Sequence, residues 1–202
     1  VFLVDELGRS VSGSTTTALL ASVFLRENPN VTILYNLICS RIVPETITAM
    51  GGKPIRTKNG HSYMKQVMAQ TGAVFAGEHS GHYYFADNYR ADSGLIATMV
   101  VLGEMGRTGK TLSELRAPFE KYAGSGEINT QVKDISVVIE RVAKQFASYP
   151  QDHLDGLTVD CGSWWFNVRP SNTEPLLRLN LEAATREECD EHVAELLMLI
   201  TA

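Results

Sequence analysis

The chain has 202 residues, 44% hydrophobic and 20% charged, with a net charge of −5. That composition is ordinary for a globular protein and suits one large domain or two small ones. The acidic balance disfavours broad nucleic-acid or membrane-surface binding, and no apolar run reaches a transmembrane length. No signal-peptide pattern is seen. Cys39, Cys161 and Cys189 have no metal-ligand spacing and read as reduced thiols of a cytoplasmic protein. Asn30-Val31-Thr32 matches a glycosylation acceptor but stands alone and is taken as chance.

In chain order, Val1 to Val4 reads as a buried strand, hairpinned through Asp5–Arg9 onto Ser10–Ser12. An opening in mid-strand leads us to expect a chain cut from something longer. Ser14 is placed to cap a helix with Leu19, Leu20, Val23 and Phe24 as apolar positions. A β-branched strand follows at Val31–Tyr35, then a short helix over Val43–Met50 and a strand at Pro54–Thr57. A helix from Ser62 to about Gln70 precedes a strand at Ala73–Ala76 and an aromatic strand at Tyr83–Phe85. Asp92 is a candidate cap for a helix running to about Gly103. Strand and helix alternate throughout, which predicts an α/β domain, a sheet layered by helices.

Tyr122-Ala123-Gly124-Ser125-Gly126 reads as a linker and a hinge. A strand at Ile128–Val132 then leads to a helix with Ile135, Val138, Ile139, Val142 and Phe146 on one face. Strands follow at Leu157–Asp160, Trp164–Val168 and Leu176–Leu181, and a last helix opens on Thr185 and Glu188. This predicts a small α+β domain, an antiparallel sheet packed by helices on one face. The expected organisation is a hairpin of a preceding domain at 1–13, an α/β domain at 14–121 and an α+β domain at 122–202.

Two loops carry concentrated chemistry. Gly77-Glu78-His79-Ser80-Gly81-His82 sets a carboxylate, a hydroxyl and two imidazoles between glycines at a strand end. Glu78 suits two vicinal hydroxyls, Ser80 serves as donor or acceptor, and His82 exchanges a proton near neutral pH. By local chemistry a plain strand-to-strand turn fits as well. Glu78, His79 and His82 on so short a turn would hardly converge on a metal, and no metal ligand is assigned. The second loop is Arg169-Pro170-Ser171-Asn172-Thr173-Glu174-Pro175. Arg169 offers a forked donor for phosphate oxygens, while Ser171, Asn172 and Thr173 add short donors between two restraining prolines. A polar turn is again the plain alternative. At a third strand end, Lys58 and His61 in Thr57-Lys58-Asn59-Gly60-His61 suit a phosphate or a sugar hydroxyl, or a solvated lysine and a capping turn. The run Gly103–Thr111 mimics a P-loop, but Glu104 occupies the place of the required glycine and a helix precedes it, so no nucleotide site is expected there.

Taken in order, the three loops resemble the α-D-phosphohexomutase family, of the phosphomannomutase/phosphoglucomutase type, over essentially the whole chain. The resemblance implies the end of a second domain, a third and a fourth, the C-terminal half of a four-domain enzyme. It implies reversible movement of phosphate between C1 and C6 of a hexose through a glucose or mannose 1,6-bisphosphate, with phosphoserine as donor and Mg2+ as cofactor. The metal loop and the serine of the family are absent from this sequence, so the 202 residues are expected to be inactive alone. The missing N-terminal half of the same polypeptide is then an expected partner, beside hexose phosphates. By family match, Arg169, Ser171, Asn172 and Thr173 hold the non-reacting phosphate, and Glu78 and Ser80 bind the 3- and 4-hydroxyls. His61 matches a substrate-contacting family histidine and His82 one near the reacting centre, the candidate for proton transfer; Lys58 is added to the substrate contacts from its local chemistry. Ile38 takes the place of a basic family residue, with Arg41 as a possible substitute. Asn172 favours a hexose over the amino sugar of phosphoglucosamine mutases. A sugar-phosphate binding module without catalysis is the alternative from another class.

Overall fold

The computed structural model describes residues 1–171 and 174–202 and divides into two compact units, Val1–Lys121 and Tyr122–Ala202. The first contains β1 (Leu3–Val4), β2 (Ser10–Val11), α1 (Gly13–Glu27), β3 (Thr32–Asn36), α2 (Ile42–Ala49), β4 (Lys53–Thr57) and α3 (His61–Thr71). It continues through β5 (Phe75–Gly77), β6 (Tyr83–Phe85), β7 (Ala91–Asp92), α4 (Gly94–Thr108) and α5 (Leu112–Arg116). The sheet order is β4-β3-β5-β6-β7. β3 lies parallel to β4 and β5, while β6 and β7 run antiparallel.

Strand alternation sorts this sheet into two apolar faces. Ile33 and Phe75 are register partners, and Phe24 of α1 stacks on Phe75 with ring centroids 5.2 Å apart. Leu34, Ala76 and Tyr84 occupy the opposite face, packed with Met64 and Met68 of α3. Helices therefore cover both sides of a mixed sheet, the layered arrangement that the alternating pattern predicts. α1 comes very close to the end of β5: a Cβ on Gly77 would stand 2.3 Å from Thr17 Oγ1. Only a glycine lets the helix lie that near the strand.

The second unit contains β8 (Ala123–Gln131), α6 (Ile135–Gln145), β9 (Gln151–Asp152), β10 (Leu157–Asp160), β11 (Trp165–Pro170), β12 (Leu176–Ala183) and α7 (Arg186–Thr201). Its sheet is antiparallel, in the order β8-β12-β11-β10-β9. Phe166, Val168, Leu177, Leu179 and Leu181 pack with Val138 and Val142 of α6 and Leu196 and Ile200 of α7. The intervening residues Asn167, Arg169, Arg178 and Asn180 are thereby directed to the other sheet face.

Several local expectations are corrected. The cap of α1 is Ser12, whose Oγ accepts from Thr15 N at 3.0 Å; Ser14 lies one residue inside the helix. Ser93, not Asp92, caps α4, because Asp92 still belongs to β7 and pairs with Tyr84. Gly124–Gly126 are strand rather than linker. Gly124 pairs with Glu182, and Ser125 Oγ accepts from Leu181 N, so β12 orders them across the sheet. β1 is not buried: Phe2 and Val4 are exposed. Most of the P-loop-like run lies inside α4, where Glu104 is held by Arg26 and Arg107.

The opening hairpin is pinned by one carboxylate. Asp5 accepts from Leu7 N, Arg9 N and Arg9 Nε, and from Arg116 Nη1 of α5 at 3.0 Å. Burial alone would raise this carboxyl, but the hydrogen bonds outweigh it and hold Asp5 at about 2, below its ordinary 3.8. A lowered carboxylate stabilises the fold above its unfolded-state pKa, and that contribution is lost as pH falls through the folded value. The wild-type chain should therefore lose more Tm than Asp5→Asn on going from about pH 5 to about pH 2. Thermal unfolding of both proteins across that range checks this; equal pH slopes would contradict it.

Candidate functional site

Three loops meet at the carboxyl ends of β3, β4 and β5, where open α/β sheets place their ligands. The buried side chain of Asn36, at the end of β3, joins them. Its Oδ1 accepts from His79 N at 3.0 Å, after β5, and its Nδ2 donates to Asn59 Oδ1 at 2.6 Å, after β4. The Cys39 thiol also donates to Asn36 Oδ1, at 2.9 Å. Burial pushes that thiol up to about 12, so it stays protonated and keeps donating. From the start of α1, Ser14 Oγ accepts from Ser40 N at 3.0 Å and stands 2.9 Å from His79 Nδ1. His79 is thus an internal strut of the loop.

The neighbouring side chains differ in role. Glu78 is buried, at 4% exposure, and accepts from the Tyr84 hydroxyl through Oε1. Burial, then the adjacent Glu78, raises the Tyr84 pKa, so the phenol stays a donor. Glu78 Oε2 has a longer contact from Ser80 Oγ, at 3.4 Å, and Ser80 is exposed. His82 Nδ1 lies 3.0 Å from Asp92 Oδ2. An ionised carboxylate only accepts, so Nδ1 carries a proton, and in the neutral tautomer that this leaves, Nε2 is the acceptor. His61 shares the same carboxylate, with Nδ1 3.6 Å from Asp92 Oδ1, and its ring meets that of His82 edge-on at 4.4 Å. Burial would raise Asp92, but the His82 hydrogen bond and the two imidazoles lower it overall. Lys58 is exposed and sits 5.7 Å over the Tyr63 ring, outside this cluster.

In the second unit, Arg169 is buried on β11, and its Nη2 donates to Glu127 Oε2 at 2.7 Å. Arg178, its register partner on β12, lies 3.2 Å from Glu127 Oε1 and donates to Ser171 Oγ at 2.9 Å. Two guanidinium groups thus share one carboxylate, and Asp155 acts on Arg169 as a second negative charge. Burial lowers the Arg169 pKa, and Glu127 opposes that shift. Among the described residues, the buried Nε atoms of Arg169 and Arg178 have no hydrogen-bond partner. Asn172 and Thr173 lie outside the described residues.

Residues 12–122 match the family model described as phosphoglucomutase/phosphomannomutase, alpha/beta/alpha domain III, and residues 127–198 match its C-terminal domain. The chain belongs to the phosphoglucomutase/phosphomannomutase family. It is 44% identical over 198 residues to a phosphomannomutase of Methanocaldococcus jannaschii, covering 98% of this chain and 44% of that protein. It is 37% identical to a phosphomannomutase of Escherichia coli, over 90% of this chain and 41% of that one. Among solved structures, a phosphoglucomutase/phosphomannomutase family protein of Burkholderia thailandensis superposes with a TM-score of 0.82 at 28% identity, over 97% of this chain and 43% of its own. The chain therefore spans less than half the length of the curated relatives it matches.

Within this family chain, the structure gathers Glu78, Ser80, His61 and His82 at one sheet edge, and Arg169 with Ser171 at another. Sequence reasoning missed Asn36, Tyr84 and Asp92 in the first group and Glu127 and Arg178 in the second. Arg178 had a signal: it is the polar residue between Leu177 and Leu179 of a strand. The family implies Mg2+. Among the described residues the gathered group of potential ligands is His61, His82 and Asp92. With two imidazoles it does not fit a hard cation that prefers oxygen, so no step is drawn through Mg2+ here.

The loop before β10 backs Arg169 closely. Gly156 has φ +70, and a Cβ there would stand 2.3 Å from Val168 O and 2.6 Å from Arg169 Cβ. Gly156→Ala should therefore cost at least about 1–2 kcal/mol for the left-handed backbone alone. It should also displace Arg169. Urea unfolding of this variant should show a lower midpoint; an unchanged midpoint would contradict the packing described.

Proposed function

We propose that this chain is the sugar- and phosphate-binding half of a phosphohexomutase that moves phosphate reversibly between C1 and C6 of glucose or mannose through a 1,6-bisphosphate. The observation that carries this reading is the buried Glu78 carboxylate, held by Tyr84 at the same sheet edge as His61 and His82. A carboxylate with one oxygen anchored by a phenol is a preset acceptor for sugar hydroxyls. Glu78 and Ser80 take the 3- and 4-hydroxyls, which glucose and mannose share. Such contacts tolerate both epimers and both orientations of a bisphosphate that must turn over. Arg169, Ser171, Asn172 and Thr173 hold the phosphate that is not reacting, with Arg178 adding charge through Ser171. His61 adds a substrate contact within the cluster, and Lys58 adds one from outside it by swinging away from the Tyr63 ring. His82, with Nε2 free to accept, takes the proton from the attacking hydroxyl and returns it on reversal.

The phosphoryl donor and the Mg2+ loop that the family resemblance implies are not among these 202 residues, so the chain alone should not turn over. In a coupled assay with mannose 1-phosphate it should stay at the buffer blank; measurable turnover would overturn that part of the reading. The chain should still bind glucose 1,6-bisphosphate in a calorimetric titration. Arg169→Ala should weaken that binding by about tenfold or more, the scale of a lost charge-assisted hydrogen bond. Equal affinity of the two proteins would remove Arg169 from the phosphate site.

A further inference from the structure

We infer that His61, His82 and Asp92 form a binding site for a transition-metal dication, with Zn2+ the ion that suits the donors. The residues come from the first turn of α3, the turn before β6, and β7. One ligand atom of each lies within 4.8 Å of the other two. The Nδ1 atoms of His82 and His61 stand 3.0 and 3.6 Å from the two Asp92 oxygens. Ligands placed tetrahedrally at the usual zinc bond lengths stand roughly 3.3 Å from one another. The two observed separations run to different oxygens of Asp92, so a common ion needs side-chain rotations that bring one donor from each residue, already within 4.8 Å of the others, closer together.

The scaffold is already ordered. Asp92 is fixed by strand pairing to Tyr84, and the His61 ring rests edge-on against both His82 at 4.4 Å and Tyr84 at 5.5 Å. Such packing removes much of the rotamer freedom that binding would otherwise cost. The side chains of His61, His82 and Asp92 are 48%, 41% and 32% exposed, so an ion reaches them from solvent and keeps room for water. Without an ion, His82 Nδ1 donates to Asp92 and His61 stands farther off; when a dication takes the Nδ1 lone pairs, each neutral imidazole carries its proton on Nε2 instead, and the carboxylate binds the ion. Two nitrogens and one oxygen suit Zn2+, Co2+ or Ni2+ far better than Mg2+ or Ca2+. Metal binding itself needs no sugar. Where His61 and His82 also meet substrate, as proposed above, ion and sugar phosphate would exclude each other.

The test is calorimetric titration of the 202-residue chain with ZnCl2 in chelator-free buffer, with CoCl2 and visible absorption as a second probe. One equivalent of Zn2+ should bind, with no heat from MgCl2 under the same conditions. His61→Ala, His82→Ala and Asp92→Asn should each weaken Zn2+ at least about tenfold, as loss of a ligand or its orienting partner does. His61 is exposed, so its variant keeps the test valid should the His82 variant not fold. No binding at millimolar ZnCl2, or unchanged affinity in His61→Ala or Asp92→Asn, would overturn the proposal. A strong sulfur-to-cobalt band would place the ion on a cysteine and overturn it too. Because this readout involves neither sugar nor turnover, its failure leaves the proposed function standing, and failure of that function leaves this site standing.

Discussion

The carboxyl edge of the first sheet depends on one buried side-chain amide. Three parallel strands end together there, and each hands the chain to a loop with polar groups to satisfy. The Asn36 amide matches those needs with an acceptor that takes a backbone N–H and a thiol, and a donor that reaches the next loop. Leucine at that position would fill the same space but would leave the His79 N–H unpaired, and buried unpaired donors cost on the order of 1–3 kcal/mol. The Glu78 carboxylate is one residue from that anchored amide. Its placement follows from the Asn36 network on one side and from Tyr84 on the other.

The second unit solves a related problem with charge. Its sheet gives one face to a conventional apolar core and sets a row of polar side chains on the other. Arg169 is buried there because Glu127 and the strand around it make burial tolerable, and Arg178 shares the same carboxylate. Breaking such a pair is costly, which fixes the guanidinium rather than leaving it to search in solvent. A fixed cation beside Ser171 is what an anion site needs if it is to act without reordering.

Much of the fold was legible in the sequence because both signals used are local. Short apolar and β-branched runs placed the strands around Ile33, Phe75, Phe166 and Leu179, and the apolar stripe of Ile135 to Phe146 placed α6. The errors came where a distant partner decides. Ser14 and Asp92 looked like caps but were drawn to Ser40 and to the histidines, while Ser12 and Ser93 did the capping. Gly124 to Gly126 looked free because β12, which pairs with them, lies more than fifty residues away. In the site, the motif residues Glu78 and His82 were visible. Their supports, Tyr84 and Asp92, were not, since a tyrosine in an aromatic strand and an aspartate before a helix both have ordinary explanations.

The central claim is that the sheet edge built around Asn36 receives the sugar. The most direct measurement is the amide NMR spectrum of the 202-residue chain during titration with mannose 1-phosphate. The account predicts that the N–H signals of Gly77 to His82, with Asn36 and Asn59, shift together and saturate. If those signals stay in place while others move, such as those lining the α1–α4 groove around Arg26 and Arg107, the sugar binds elsewhere and the account is wrong.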